Sequence, residues 1–415
     1  MSAPGRLSVV DEIFLRTHRG LGTPIALQGL WRTPERIEPE LLRQIHASLR
    51  TGPLGRRVVR PRVPGARRAW RATTRAHPLA WHEQPIPRSA LFTWADAQGA
   101  DLDPETGPGW RLSATALADG GSVVALTCSH ALADGRALAL AVDDALGGTA
   151  LHAGAPVPGS DWADARRQWS TVVRGTVRAL RHGIPARPLV APDRVDAPSS
   201  GAAVHSAVLQ CSVADWERVA EAHRGTANSL FIWLIANTLW ACGFPAAVIE
   251  ASLPVDTRDE PRVDNDLAMT AIDVHRTDTP ASIRAQARTA YERRMSSPGG
   301  MPEELLQVVP DRWAYALSKG AGERDILCSN VGTLPATLTA LGAHRCTGVA
   351  ARAIHPGLTA GQLPRTRLSG YLCRIADDYV VALVGLDPVR IESDSALTDL
   401  AAKTAAAIDL PVRTW

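Results

Sequence analysis

Apolar residues recur along the chain at two spacings, and the alternation between them lays out its elements. The three-to-four spacing of Leu41, Leu42, Ile45 and Leu49 predicts a helix over residues 38–50, stopped by Gly52 and Pro53. An apolar stretch at 23–31 predicts a strand. Two strand-like runs, 110–117 and 122–128, flank Asp119, Gly120 and Gly121 and read as a β-hairpin. The second run passes straight into Ser129-His130-Ala131-Leu132-Ala133-Asp134-Gly135, after which a helix fits residues 136–146. Residues 161–182 form a basic amphipathic segment, with Trp162, Trp169, Val173, Val177 and Leu180 on one side and Arg166, Arg167, Arg174, Arg178 and Arg181 largely on others. Its tryptophans suit packing, so the segment is expected to be a helix crossing between domains. Lipid contact is the second reading, since a basic amphipathic helix can lie on a membrane surface.

Pro185 and Pro188, then Ala197-Pro198-Ser199-Ser200-Gly201, mark a linker. Beyond it the pattern restarts with a strand at 204–211 and a helix opened by Ser212. An uncharged stretch follows at 229–249. It has the length of a membrane span, but Gly243 and Pro245 break it into a buried helix, a turn and a buried strand. That strand leads into Pro254-Val255-Asp256-Thr257-Arg258. Helices fit 281–294 and 302–318, a short strand enters Ser329-Asn330-Val331-Gly332, strands fit 368–375 and 379–386, and a last helix fits 393–407. The order is neither a strict strand-helix alternation nor a repeat of about 20 to 50 residues. The expected class is α/β with mixed sheets, divided into an N-terminal unit 1–190, a linker 191–201 and a C-terminal unit 202–415.

Composition narrows the function. The 415 residues carry 45 Lys plus Arg against 42 Asp plus Glu, a formal charge of +3, which argues against a dedicated nucleic-acid binder. Lysine stands only at Lys319 and Lys403, so the arginine number reads first as the mark of GC-rich codons. Eight arginines nevertheless crowd residues 56–75. A solvated face is the expected reading, and a docking site for the phosphates of coenzyme A, an acidic carrier protein or anionic lipid is the alternative. Six cysteines without paired spacing and without a secretory segment predict a reduced, cytoplasmic protein. Cys128 and Cys328 lie beside the motifs below and are expected to be buried and inert.

The chemistry concentrates at His130, Asp134 and Gly135. An imidazole at a strand end faces a cleft and accepts a proton near neutral pH, the aspartate suits a buried ion pair or a helix cap, and the glycine permits a tight turn. Four segments in order, Leu7-Ser8-Val9-Val10-Asp11-Glu12-Ile13-Phe14-Leu15, the Ser129–Gly135 segment, Leu253-Pro254-Val255-Asp256-Thr257-Arg258 and Cys328-Ser329-Asn330-Val331-Gly332, give the chain its resemblance to the chloramphenicol-acetyltransferase-like superfamily. That superfamily includes condensation domains, polyketide-associated acyltransferases and bacterial wax ester synthase/diacylglycerol acyltransferases. The resemblance implies two similar subdomains in a V with a central tunnel, and acyl transfer from a coenzyme A or phosphopantetheine carrier thioester to an alcohol or amine, without a metal or tightly bound cofactor. It makes His130 the general base and Asp134 a structural carboxylate paired with Arg258, and it puts Ser129, Ser329 and Asn330 on the tunnel. Two departures stand out: Ser129 replaces the first histidine of the usual pair, and the Ser-Asn-Val segment continues into Gly332-Thr333-Leu334-Pro335 instead of Pro-Gly-Pro. Ester formation is the expected reaction. Amide formation by a free-standing condensation enzyme, or a silent member that only binds acyl chains or carriers, are the rivals.

Overall fold

A computed structural model describes residues 5–148, 151, 158–181, 204–292, 302–320 and 322–415. The expected linker at 191–201 lies outside them.

In chain order the first half comprises α1 (Val9–Thr17), β1 (Ala26–Thr33), α2 (Pro39–Thr51), β2 (Arg56–Val59), β3 (Ala69–Ala72), β4 (Ala80–Ile86), α3 (Leu91–Ala97), β5 (Trp110–Leu117), β6 (Ser122–Ser129), α4 (Gly135–Ala145) and α5 (Asp161–Arg181). The second half opens with β7 (His205–Ser212), α6 (Val213–Ala222), α7 (Ala227–Ala241), β8 (Val248–Asp256), β9 (Leu267–His275) and α8 (Pro280–Glu292). It continues through α9 (Leu305–Val308), α10 (Asp311–Ser318), β10 (Ile326–Thr333), β11 (Ala340–Leu341), β12 (His344–Arg345) and β13 (Gly348–Ile354). β14 (Leu368–Ile375), β15 (Asp378–Gly385), α11 (Asp394–Ala406) and β16 (Arg413–Thr414) complete it.

Two large sheets organise these elements. One runs β13-β1-β6-β5-β4, the other β16-β7-β15-β14-β10-β8-β9, and both mix parallel and antiparallel pairs. The expected hairpin is present as β5 and β6, which pair from Trp110 opposite Cys128 to Ala116 opposite Ser122. The uncharged stretch is α7, buried on nearly every side within the second core, then a turn at Gly243 with φ of 84°, then β8. Among the described residues no helix is long and apolar enough to cross a membrane.

Two expectations are corrected. The helix expected over 302–318 is two, α9 and α10, because Pro310 takes extended backbone at their junction and starts α10. A strand from the second half completes the first sheet: β13 pairs along β1 from Ala26 opposite Ile354 to Arg32 opposite Gly348. On β13 the fully buried Arg352 donates to Gln28 Oε1 on β1 at 2.7 Å, to Asp96 Oδ1 on α3 at 2.6 Å and to Ser206 Oγ on β7 at 2.7 Å, so one guanidinium fastens both sheets. The second correction concerns the arginine run. Arg56 stacks on Trp70 with its guanidinium carbon 4.4 Å from the ring centroid, Arg67 pairs with Asp164 in a buried contact of 2.7 Å, and Arg68 pairs with Glu12 and Asp311. Three of the eight arginines are therefore tied into the scaffold instead of standing on a solvated face.

Candidate active site

β6 ends at Ser129, and the next residues leave the sheet as a loop whose backbone groups find partners from four directions. Leu132 N–H donates to the Ser129 carbonyl at 2.9 Å. The Leu132 carbonyl accepts from Arg56 Nη2 at 2.6 Å. The His130 and Ala131 carbonyls accept from Asn265 Nδ2 at 2.8 and 3.2 Å. A loop in which buried carbonyls are each met by a side chain holds one conformation, because losing any partner strands a polar group away from water.

Asn265 also fixes the imidazole. All three partners of its amide nitrogen are acceptors, the third being Asp11 Oδ1 at 2.8 Å, so its oxygen must face the remaining contact, His130 Nδ1 at 3.2 Å. An amide oxygen accepts, so Nδ1 carries the hydrogen and Nε2 keeps its lone pair. α1 supplies the other clamp. Ser8 and Asp11 form a reciprocal capping box at its start, Asp11 thereby reaches Asn265, and one turn later Phe14 stacks on His130 with ring centroids 3.5 Å apart and an interplanar angle of 13°. The first of the four segments is thus the lid over the histidine.

Burial sets the electrostatics. His130 is 8% exposed, and desolvation pushes its pKa down to about 4, against smaller upward contributions from its own backbone, Asp134 and Asn265. Desolvation pushes Asp11 up to about 6, offset in part by its bonds to Asn265 and Ser8. Cys128, one strand residue before the loop, is fully buried and its thiol is pushed up to about 12, and burial raises Cys328 as well, so neither has the character of a thiolate nucleophile.

Asp134 does two jobs that the sequence left as alternatives. Its Oδ1 accepts from Ala137 N–H at 2.9 Å and caps α4, while its Oδ2 accepts from Arg258 Nη2 at 2.5 Å and from Asp266 N–H at 3.1 Å. The pair is buried, with side chains 8% and 5% exposed. Arg258 spends its other donors on Asp256 at 2.8 Å and on the carbonyls of Arg262 and Asp264 at 3.2 and 2.6 Å, so the same guanidinium ties the loop after β8 to the histidine loop. Gly135 serves differently from the expected tight turn. Its φ is not positive, and a Cβ there would stand 3.3 Å from the Val331 side chain on β10, so an added methyl would press on the second sheet where it approaches α4.

The remaining candidates separate. Ser129 is fully buried, and its Oγ lies 2.6 Å from Nε2 of His18, the C-cap of α1. That oxygen also accepts from Ala131 N–H at 3.2 Å. Ser329 and Asn330 lie on β10, where Asn330 Nδ2 donates to Asn228 Oδ1 at 2.9 Å and Asn330 Oδ1 accepts from Gly332 N–H at 3.0 Å. No hydrogen bond joins either to His130 among the described residues. Sequence reasoning missed Asn265 and His18 and gave no role to Asp11 or Phe14. Asn265 sits in an Arg-Val-Asp-Asn-Asp run that reads as an exposed loop, and the Asn-Asp pair a few residues past Arg258 is its one local signal.

No protein-family model matches the chain, and no curated protein is similar to it in sequence. Solved structures are similar over the whole length. The first condensation domain of the CDA synthetase matches with a TM-score of 0.58 at 14% identity, covering 99% of each chain. The wax ester synthase/diacylglycerol acyltransferase from Marinobacter aquaeolei VT8 gives 0.57 at 15% identity, covering 98% of this chain and 100% of that one. Polyketide synthase associated protein 5 from Mycobacterium tuberculosis gives 0.57 at 15%, covering 97% and 98%. The chain shares the mixed α/β fold of these three structures.

Proposed function

We propose that the protein transfers an acyl group from a coenzyme A or carrier-protein thioester directly to a hydroxyl acceptor, with His130 as general base. The observation that carries this reading is the Asn265 clamp, which leaves the Nε2 lone pair of a neutral imidazole as its reactive feature. Nε2 takes the proton of the acceptor hydroxyl as its oxygen attacks the thioester carbon. The tetrahedral oxyanion then collapses, the carbon–sulfur bond breaks, and the thiolate leaves with the proton returned from the imidazolium. A pKa of about 4 keeps His130 neutral at pH 7 but makes it a weak base at rest, at a cost of roughly 4 kcal/mol for protonation at neutral pH. The oxyanion forming beside it lowers that cost, since an adjacent negative charge favours the imidazolium, whose Nδ1–H is already held by Asn265. Asp134 and Arg258 hold the loop and exchange no proton with substrate.

The test is thiol release from acyl-coenzyme A donors of graded length, with alcohol and amine acceptors in parallel, for the wild-type protein and His130→Ala. Turnover with alcohols that vanishes in the variant supports the reading. Turnover confined to amines makes it an amide-forming enzyme, and none with any pair, including carrier-bound donors, makes it a binding protein.

A further inference from the structure

The helix α5 contradicts the expectation that its tryptophans pack inward. Trp162 is 67% exposed and Trp169 48%, and Val173, Val177 and Leu180 are exposed alongside them. At about 100° per residue these five fall within an arc of roughly 80°. The residues that the helix does bury, Asp164, Ala165, Gln168, Val172 and Ala179, lie on a different arc, about 120° away. A third arc carries Arg167, Arg174, Arg178 and Arg181, all exposed, and Arg166 stands within the apolar one, between Val173 and Val177 in projection. Among the described residues no ion pair involves Arg166, Arg167, Arg174 or Arg181, although carboxylates fasten the helix start through Asp161 to Arg6 and Asp164 to Arg67. In cross-section the helix therefore shows core, then apolar stripe, then arginines, and the boundary between stripe and arginines points straight away from the protein.

We propose that α5 is a peripheral membrane contact that seats its Trp162–Leu180 stripe in an anionic lipid surface. The stripe is long and straight, about 27 Å from first to last residue at 1.5 Å per residue, and its occupant must be apolar along that whole length while carrying negative charge along one flank. A lipid interface has that chemistry. Acyl chains receive the aliphatic residues, indole rings sit at headgroup depth, and flanking guanidiniums reach the phosphates. α10 offers a second exposed pair one turn apart, Trp313 at 70% and Leu317 at 58%, and α9 packs against both α10 and α5. The overall charge of +3 gives no general attraction to anions, so binding rests on this local arrangement.

The experiment is flotation of the full chain with vesicles of phosphatidylcholine alone and of phosphatidylcholine mixed with phosphatidylglycerol. The protein should float with the mixed vesicles and far less with the neutral ones. Raising salt from about 0.1 M to 1 M, which shortens the screening length from about 10 to 3 Å, should release it several-fold. Trp162→Ser with Trp169→Ser should lower partitioning at least about tenfold, and Arg167→Glu with Arg174→Glu should remove the preference for anionic vesicles. Both variants should keep the wild-type circular dichroism and its thiol release from soluble donors. No flotation with mixed vesicles, equal flotation with both compositions, or unchanged partitioning of the tryptophan variant overturns the proposal. So does concentration-dependent self-association, or capture of an acidic carrier protein, that those substitutions abolish while vesicle binding stays absent.

Discussion

Removing one partner of the Asp134–Arg258 pair tests whether the histidine loop is held from the second half of the chain. Asp134→Ala deletes the cap of α4, worth about 1 kcal/mol. It also strands the Asp266 N–H, worth about 1 to 3 kcal/mol if buried, while Arg258 keeps Asp256 and two carbonyls. The sum is about 2 to 4 kcal/mol. Arg258→Ala leaves a carboxylate that is 8% exposed with two backbone N–H donors and no cation, about 3 to 5 kcal/mol. In the double variant the charge left behind is gone, so its cost should fall short of the summed singles by about 1.5 to 3 kcal/mol, the worth of a charged hydrogen bond. A chain with two cores need not unfold in one step, so native-state amide exchange of α4 is the suitable readout of local stability. Thiol release should fall in both single variants as the loop loosens. Additivity within about 0.5 kcal/mol would refute the coupling and reduce Asp134 to a helix cap.

Three further outcomes are expected. His130→Ala should retain its fold and lose at least about a hundredfold in acceptor-dependent turnover, the lower end of a general base's worth, and near-wild-type turnover would dismiss the mechanism. Asn265→Ala should lower kcat by about tenfold or more with KM little changed, yet add nothing in the His130→Ala background, and an additive loss there would make Asn265 a structural residue alone. Activity should hold level on acidification past the ordinary histidine pKa of about 6.5 and decline only toward pH 4, where His130 protonates, and a limb centred on 6.5 would contradict the burial argument. Stability should move less over that window. His130, with its folded pKa below its unfolded one, withdraws stability as pH falls from about 6.5 to 4, whereas Asp11, raised to about 6, returns some as pH falls from about 6 to 3.8.

The elements that sequence revealed are those whose burial pattern is complete within one segment. α2 shows its apolar face at three-to-four spacing, and β5 and β6 show an Asp-Gly-Gly turn flanked by two mostly apolar runs. β13 escaped because four of its seven residues are Gly or Ala, and a buried Arg352 between them reads as a polar surface until Gln28, Asp96 and Ser206 are seen around it. The site divides the same way. His130, Asp134 and Gly135 lie within one short segment, and Arg258 came with the resemblance. Asn265 reaches His130 across 135 positions, Asp11 reaches Asn265 across 254, and His18 reaches Ser129 across 111, distances at which no spacing rule carries information.

The placement of β13 bears on how the molecule is made. During synthesis the first 150 residues emerge with β1, β6, β5 and β4, yet β1 then exposes an unpaired edge until residues 348–354 arrive some two hundred positions later. A bare edge beside an apolar core is a template for other strands, so the nascent first half is the stage at which the chain is open to aggregation and to capture by chaperones. The same geometry makes the two halves separable only as a complementing pair. A fragment ending before residue 204 lacks its fifth strand, and supplying the remainder as a second polypeptide, with its own β13, should rescue it into a soluble heterodimer.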